Sequence, residues 1–312
     1  MTWQRRHVLA TDDWSKDEIE QVLDQTGAMV EVLGRPIRRT PALRGRTVIL
    51  FFAEASTRTR VSFELAAKAL SADVTNITAR GSSVEKGETL LDTVRTLTAL
   101  GGDVIVMRHA SSGAPYFVAE RTDAAVINAG DGWHAHPTQG LLDAFTLRGA
   151  LGDLAGRRIV IVGDITHSRV ARSDIETLVP LGATITLSGP PTLVPASWRC
   201  GMTPRGVSYE PDLDRALDGA DGVIALRLQT ERQHAGLLPS IREYAKTWGL
   251  SEERVARMRP DAPVLHPGPM NEGVEIAASV AHGARSLIEA QVTNGVAVRM
   301  ALLYLLAGTG SE

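Results

Sequence analysis

The strongest chemical signal in this chain is Glu54-Ala-Ser-Thr-Arg-Thr-Arg60, set between an apolar run and a helix-period segment. The first turn of a helix offers unpaired N–H groups and about half a positive charge, which favours an anion such as phosphate. Ser56, Thr57 and Thr59 add hydroxyl donors, and Arg58 and Arg60 add cations with two-pronged geometry. A plainer alternative makes Ser56 an N-cap and leaves the arginines in solvent. It accounts for Ser56, but not for two arginines at the helix end whose dipole repels cations. The segment is therefore expected to hold phosphate. No G-x-x-x-x-G-K-[ST] loop occurs, and Gly163-Asp-Ile-Thr-His-Ser-Arg169 lacks a G-x-G-x-x-G, so no nucleotide cofactor is expected.

Other candidates stand at the ends of apolar runs. Arg108 closes one of them; it reads either as a solvated arginine or as a ligand group at the carboxyl edge of a parallel sheet. Trp133-His-Ala-His136 invites a metal, but a structural zinc site wants about four Cys/His ligands and a catalytic one about three. The nearest other histidine is His109, and Cys200 is the one cysteine, so no metal is expected and His134 reads as an exposed loop histidine. Arg172 stands three residues after Arg169 and reads equally well as a solvated surface charge. His266-Pro-Gly-Pro269 is a stiff loop offering backbone carbonyls. Ala79-Arg-Gly-Ser-Ser-Val-Glu-Lys-Gly87 is small, polar and glycine-bounded, an exposed loop in which Lys86 reads first as solvated.

These residues need a scaffold, and 312 residues suit two domains at ~150 each. Runs at 47–53 (TVILFFA), 103–107, 124–128, 158–162, 183–187 and 222–228 read as strands, mostly continuous and so covered on both faces. Val61, Leu65, Ala69 and Leu70 form one helix face after Ser56, and Leu90, Leu91, Val94 and Leu97 another after Glu88. Strands alternating with helices argue for parallel sheets. A boundary is expected near 148–156. The apolar segment 284–307 is helical in pattern, with a break at Asn294-Gly295. The longest apolar stretch, 300–308, is short of the ~20 residues of a membrane span. Arg5 and Arg6 precede no apolar core of a signal peptide. A net charge of −3 gives no reason to expect nucleic acid or an anionic membrane, and a lone cysteine fits a reducing compartment. The expected class is a cytoplasmic, two-domain α/β protein.

Ser56-Thr-Arg-Thr-Arg60, Lys86-Gly-Glu-Thr89, Met107-Arg-His109, His136-Pro-Thr-Gln139, Arg227-Leu-Gln229 and His266-Pro-Gly-Pro269 occur in this order. Together they resemble the aspartate carbamoyltransferase catalytic chains of the transcarbamoylase family, over nearly the whole chain. The resemblance implies two doubly wound parallel-sheet domains with the active site in the cleft between them. Residues 1–149 would bind carbamoyl phosphate, with the C-terminal helix 290–312 packing back on them, and 150–289 would bind aspartate. The implied reaction moves a carbamoyl group onto the α-amine of L-aspartate in pyrimidine synthesis, without cofactor or metal.

The resemblance also implies roles. Ser56, Thr57, Arg58 and Thr59 hold the phosphate, joined by Ser82 and Lys86 from a neighbouring subunit of a homotrimer. Thr59, Arg108 and His136 surround the carbamoyl oxygen, and Gln139 accepts from the carbamoyl NH2. Arg169 binds the α-carboxylate of aspartate; Arg227 and Gln229 bind its side chain, with Lys86 also in reach and Glu231 and Arg232 supporting Arg227. Pro267 and Gly268 offer carbonyls to the two amino groups. One departure stands out: Glu272 follows Asn271 where the family pattern has a basic residue. An ornithine-specific relative would carry His-Cys-Leu-Pro at 266–269 and would be repelled by Arg227. A catalytically silent subunit would be expected to lack Arg58, Lys86, Arg108 or His136, which are present. Assembly with regulatory chains or a dihydroorotase is left open.

Overall fold

Apolar runs punctuated by helix-period segments build two α/β units, each around its own parallel sheet. The structure, a computed structural model, describes residues 3–78, 89–228, 237–238 and 240–308. One unit comprises Met1–Leu142 with Thr293–Glu312, the other Asp143–Val292. The chain runs α1 (Lys16–Leu33), β1 (Thr47–Phe52), α2 (Thr57–Ala69), β2 (Asp73–Thr78), α3 (Leu90–Ala99), β3 (Val104–His109), α4 (Ala114–Ala119), β4 (Ala125–Asp131) and α5 (Pro137–Leu151). It continues through β5 (Arg158–Val162), α6 (Arg169–Leu178), β6 (Thr184–Ser188), α7 (Ala196–Arg199), β7 (Val207–Tyr209), α8 (Leu213–Leu217) and β8 (Gly222–Ala225). Then come α9 (Ile241–Trp248), α10 (Glu252–Ala256), β9 (Val264–Leu265), α11 (Ala278–Ala281) and α12 (Ile288–Ala307).

The first sheet has the order β2-β1-β3-β4, the second β7-β6-β5-β8-β9, with all pairs parallel. Each order reverses beside its first strand, between β1 and β3 and between β5 and β8. In open α/β sheets such a switch point opens a crevice at the carboxyl ends of the strands. β1 and β5 are buried beyond their first residues, as two-sided coverage requires. In the first unit Ile49, Phe51, Ile105, Met107 and Val126 pack against Val94 and Leu97 of α3 and Val118 of α4. In the second, Val160, Val162, Val223 and Val264 pack with Leu213 and Leu217 of α8 and Val280 of α11.

Several expectations change. β2, β7 and β9 carry no strand signal that the sequence reading picked up. β2 is an outer strand with no buried position, so its side chains need not be apolar. The buried face of α2 is Thr59, Ser62, Phe63, Ala66, Ala67 and Ala69, while Val61 and Leu65 are exposed. Ala69 and the following Leu70 are buried as expected, whereas small residues and Phe63 take the buried places expected of Val61 and Leu65. The break expected at Asn294-Gly295 is absent, since α12 runs through it.

Gly295 serves packing instead. A Cβ there would stand 2.6 Å from Arg299 Nη1 and 3.3 Å from Leu142 Cδ2. Arg299 is buried, donates from Nη1 to Ser62 Oγ at 2.7 Å and to the Gly295 carbonyl at 3.0 Å, and lies 5.1 Å from the Phe63 ring centre. α12 is thus docked on α2 of the first unit. By length and composition α12 alone among the described helices could cross a membrane, but 56% of its apolar window is buried inside the structure, as in a core helix. Arg299→Leu should lower stability by about 2 kcal/mol, because it strips a charged donor from the Ser62 hydroxyl and the helix carbonyl. An unchanged melting temperature would contradict this docking.

Candidate active site

In the first unit the site residues gather at the carboxyl ends of β1, β3 and β4, three adjacent strands. Ser56 takes the N-cap position of α2 with φ −160° and ψ 102°, yet its hydroxyl makes no cap hydrogen bond. No acidic residue occupies the first turn of α2. Thr57 and Arg58 are exposed, Ser56 is half-buried and Thr59 is buried. Hydroxyls and an arginine thus face solvent where the helix dipole is positive.

Arg108 lies inside β3, paired in register with Phe52 at the end of β1. Its Nη2 donates to Glu54 Oε1 at 2.8 Å, and its Nη1 to the Ala129 carbonyl at 3.4 Å. The pair is mostly buried, with side-chain exposures of 11% and 19%. Glu54 therefore ties Arg108 to the β1–α2 loop, a role the sequence reading did not assign.

Asp131 ends β4 and is wholly buried. It accepts from Gly113 N at 2.6 Å, Asn128 Nδ2 at 2.8 Å and Ala135 N at 3.1 Å. Its Oδ2 also lies 3.1 Å from His134 Nδ1. Burial alone would raise this carboxyl; the bonds from His134, Asn128 and Gly113 outweigh it and hold the group below the usual range. His134 is thus no exposed loop histidine: it is half-buried, braced by Asp131 and packed edge-on to Tyr116 at 5.6 Å. The loop fixed in this way delivers His136, which is buried and opens α5 by accepting from Gln139 N (2.8 Å) and Gly140 N (3.3 Å) at its carbonyl. Thr138 Oγ1 lies 3.4 Å from His136 Nδ1, and Gln139 is buried one turn in.

In the second unit the candidates follow β5, β8 and β9, again three adjacent strands. Gly163 follows β5 with φ 132°, where a Cβ would stand 3.0 Å from Tyr244 Oη and 3.1 Å from Leu226 Cβ. Buried Asp164 comes next; its Oδ1 accepts from His167 N at 3.2 Å and lies 2.8 Å from His167 Nδ1. Arg169 starts α6 and is buried, and Ser168 caps that helix through Ala171 N. Arg172 is not a solvated surface charge: it is half-buried and donates to the Ser168 (3.1 Å) and Thr166 (2.9 Å) carbonyls, bracing the loop. Arg227 follows β8 and is half-buried. Ser82, Ser83, Lys86, Gln229, Glu231 and Arg232 lie outside the described residues.

Pro267 and Gly268 follow β9, and the Gly268–Pro269 peptide is cis. His266 at the base of this loop is buried; its Nδ1 accepts from Gly268 N at 2.8 Å. A backbone N–H can only donate, so the ring proton sits on Nε2, facing Glu275 Oε1 at 3.2 Å. Glu275 Oε1 also accepts from Asn271 N at 2.8 Å. Glu272, the departure from the family pattern, is directed elsewhere, 3.2 Å from His282 Nε2.

A family model for the carbamoyl-P binding domain of aspartate/ornithine carbamoyltransferases matches residues 6–149, and one for their Asp/Orn binding domain matches residues 155–306. The chain belongs to the aspartate/ornithine carbamoyltransferase family. Among similar carbamoyltransferases, the aspartate carbamoyltransferase catalytic subunit of Roseiflexus castenholzii is 58% identical, over 98% of this chain and 96% of that one. The aspartate transcarbamoylase of Trypanosoma cruzi in complex with carbamoyl phosphate and aspartate superposes with a TM-score of 0.87 at 27% identity, over 97% of each chain. The ornithine carbamoyltransferase of Pyrococcus furiosus gives 0.88 at 25% identity over the full length of both.

The carboxylate at Asp131 is open to test apart from turnover. Asp131→Ala leaves two backbone N–H groups and an amide without their acceptor, so stability should fall by about 2–3 kcal/mol at neutral pH. Because the folded carboxyl is held low, its contribution exists above the unfolded value of about 4 and fades as pH falls through the folded value. Thermal melts of both proteins should therefore converge in acid. A gap independent of pH would show that Asp131 acts through packing alone.

Proposed function

We propose that this chain transfers the carbamoyl group of carbamoyl phosphate to the α-amine of L-aspartate, giving N-carbamoyl-L-aspartate and phosphate in pyrimidine synthesis. One observation carries the reading: each unit presents anion-binding groups at the switch point of its own parallel sheet. The first set, hydroxyls and Arg58 at a helix start, suits a phosphate; the second, Arg169 and Arg227, suits a dicarboxylate. The names of the Roseiflexus and Trypanosoma relatives agree in choosing aspartate over ornithine.

Carbamoyl phosphate is an anhydride, so the protein supplies no nucleophile of its own. The aspartate amine attacks the carbonyl carbon, the C–N bond forms, the C–O bond to phosphate breaks, and phosphate departs with the electron pair and takes up the proton that the amine gives up. Ser56, Thr57, Arg58 and Thr59 hold the phosphate. Thr59, Arg108 and His136 stabilise charge growing on the carbamoyl oxygen, with Glu54 orienting Arg108. Gln139 accepts from the carbamoyl NH2, and the Pro267 and Gly268 carbonyls accept from amino groups without competing as nucleophiles. Arg169 takes the α-carboxylate, and Arg227 with Gln229 the side-chain carboxylate. We assign carbamoyl phosphate to residues 1–149 with helix 290–312, and aspartate to 150–289. A cytoplasmic homotrimer in which Ser82 and Lys86 serve a neighbouring subunit completes the proposal; it rests on the resemblance.

Purified protein should release phosphate from carbamoyl phosphate with L-aspartate, unaffected by EDTA. L-ornithine as the better acceptor would overturn the assignment. Arg58→Ala should weaken carbamoyl phosphate binding and slow turnover, whereas Arg227→Ala should mainly raise the aspartate KM. His136→Ala should lose on the order of 10²–10³ in kcat, the size of one oxyanion-type donor. Near-normal turnover in that variant would return His136 to a structural role. Mixing Lys86→Ala with His136→Ala chains should restore activity on subunit exchange, and hybrid trimers as inactive as their parents would rule out shared sites.

A further inference from the structure

Two carboxyl groups of the second unit have no place in the reaction above. Asp143 on α5 and Asp174 on α6 are both wholly buried. Neither oxygen of Asp174 meets a donor among the described residues. The group within its hydrogen-bonding reach is the Asp143 carboxyl. Two carboxylates offer each other acceptors only, so this contact becomes a hydrogen bond when one of them is protonated. The charges facing Asp174 are Asp143 from α5 and Glu176 on its own helix; Glu176 in turn lies near the Arg172 guanidinium. Burial first, then repulsion by Asp143, pushes the Asp174 carboxyl well above the usual range. Asp143 is the better anion of the two, because Gln291 Nε2 donates to its Oδ1 at 2.6 Å.

From Asp143 the bonds lead to the loop after β9. Gln291 Oε1 accepts from His266 N at 2.9 Å, and His266 Nδ1 accepts from Gly268 N at 2.8 Å. We propose that Asp174 carries a proton and donates it in a hydrogen bond to Asp143, and that this pair is a positioning device: it holds Gln291 against His266 N and so fixes the Pro267-Gly268 backbone. The value of that loop to catalysis rests on the function proposed above; the shared proton does not.

Asp174→Asn supplies a donor to Asp143 without needing a proton, so it separates protonation from packing. In the wild type the folded carboxyl is raised, so stability present below the unfolded value of about 4 is lost as pH rises toward the folded value. The Asn variant escapes that loss. Its melting temperature should exceed the wild type by on the order of 3 °C in alkaline buffer, with the gap closing toward about pH 5. Infrared difference spectra should show a protonated-carboxyl C=O stretch in the wild type, shifted in D2O and missing from Asp174→Asn. Asp174→Leu, which removes the donor, should raise the aspartate KM about tenfold with a smaller change in kcat, while Asp174→Asn keeps the wild-type KM. Absence of the infrared band, or an Asn variant that melts below the wild type at alkaline pH, would overturn the shared proton. A folded Asp174→Leu protein with unaltered aspartate KM would overturn the positioning role. Because the infrared and thermal readings need no turnover, their failure is distinguishable from a failure of the carbamoyl-transfer reading.

Discussion

In a parallel sheet every strand points the same way, so all carboxyl ends meet one edge and all amino ends the other. This single constraint arranges both units. Loops after β1, β3 and β4 converge at one edge of the first sheet, and loops after β5, β8 and β9 at one edge of the second. Helices fill the sides, which makes the inner strands apolar on both faces and leaves the strand ends as the place for polar chemistry. The reversal of strand order beside β1 and β5 then keeps two adjacent crossovers apart, and the candidate residues after β1, β3, β5 and β8 border that gap.

The opposite edge is held by a device that the two units repeat. Asp103, just before β3, accepts from Thr47 N at 2.8 Å and from Arg46 Nη1 at 2.9 Å. Asp221, just before β8, accepts from Arg158 N at 2.9 Å and from Arg157 Nη1 at 3.1 Å. In each case an aspartate pins the first residue of the neighbouring strand, and the arginine just before that strand neutralises it. The carboxyl edges use carboxylates similarly, but to hold loops: Asp131 takes the Gly113 and Ala135 amides, Asp164 that of His167, and Glu275 that of Asn271. A carboxylate accepts several N–H donors at once, and charge-assisted bonds run about twice as strong as neutral ones. Loops that must present side chains with little freedom are thus tied from beneath.

These ties explain which parts were legible in the sequence. β5 was read over 158–162 and matches in full, because a continuous apolar run between breakers has one reading. Arginines and hydroxyls placed directly after such runs were legible for the same reason: charge is conspicuous where burial is expected. Glu54, Asp131, Asp164 and Gln291 were not picked out as supports, since their partners lie far along the chain or on loop amides that leave no pattern. Gln291 reaches Asp143 across 148 positions of sequence. The face of α2 misled because burial there belongs to Ser62, Ala66 and Ala67, and periodicity counts apolar bulk. At Gly295 the sequence suggested a break, whereas the missing Cβ makes room for the Arg299 guanidinium.

Burial also bears on the choice of acceptor. Arg58 is exposed at its helix start, where water screens its charge, so under the proposed reading its worth would lie in fit to a phosphate rather than in field strength. Arg227, which the proposal sets against the acceptor's side chain, is half-buried, and screening there is weaker. An ammonium about 4 Å from such a guanidinium meets repulsion of ~4 kcal/mol at the effective dielectric of a protein surface. By the same measure a carboxylate gains a comparable attraction. A difference of even half that size is about a thirtyfold discrimination, before any hydrogen bonds are counted. Selection of a dicarboxylate over a diamino acid therefore needs no elaborate pocket in the second unit. It needs an arginine partly kept from water after β8, which is where the proposal sets Arg227 against the acceptor's side chain.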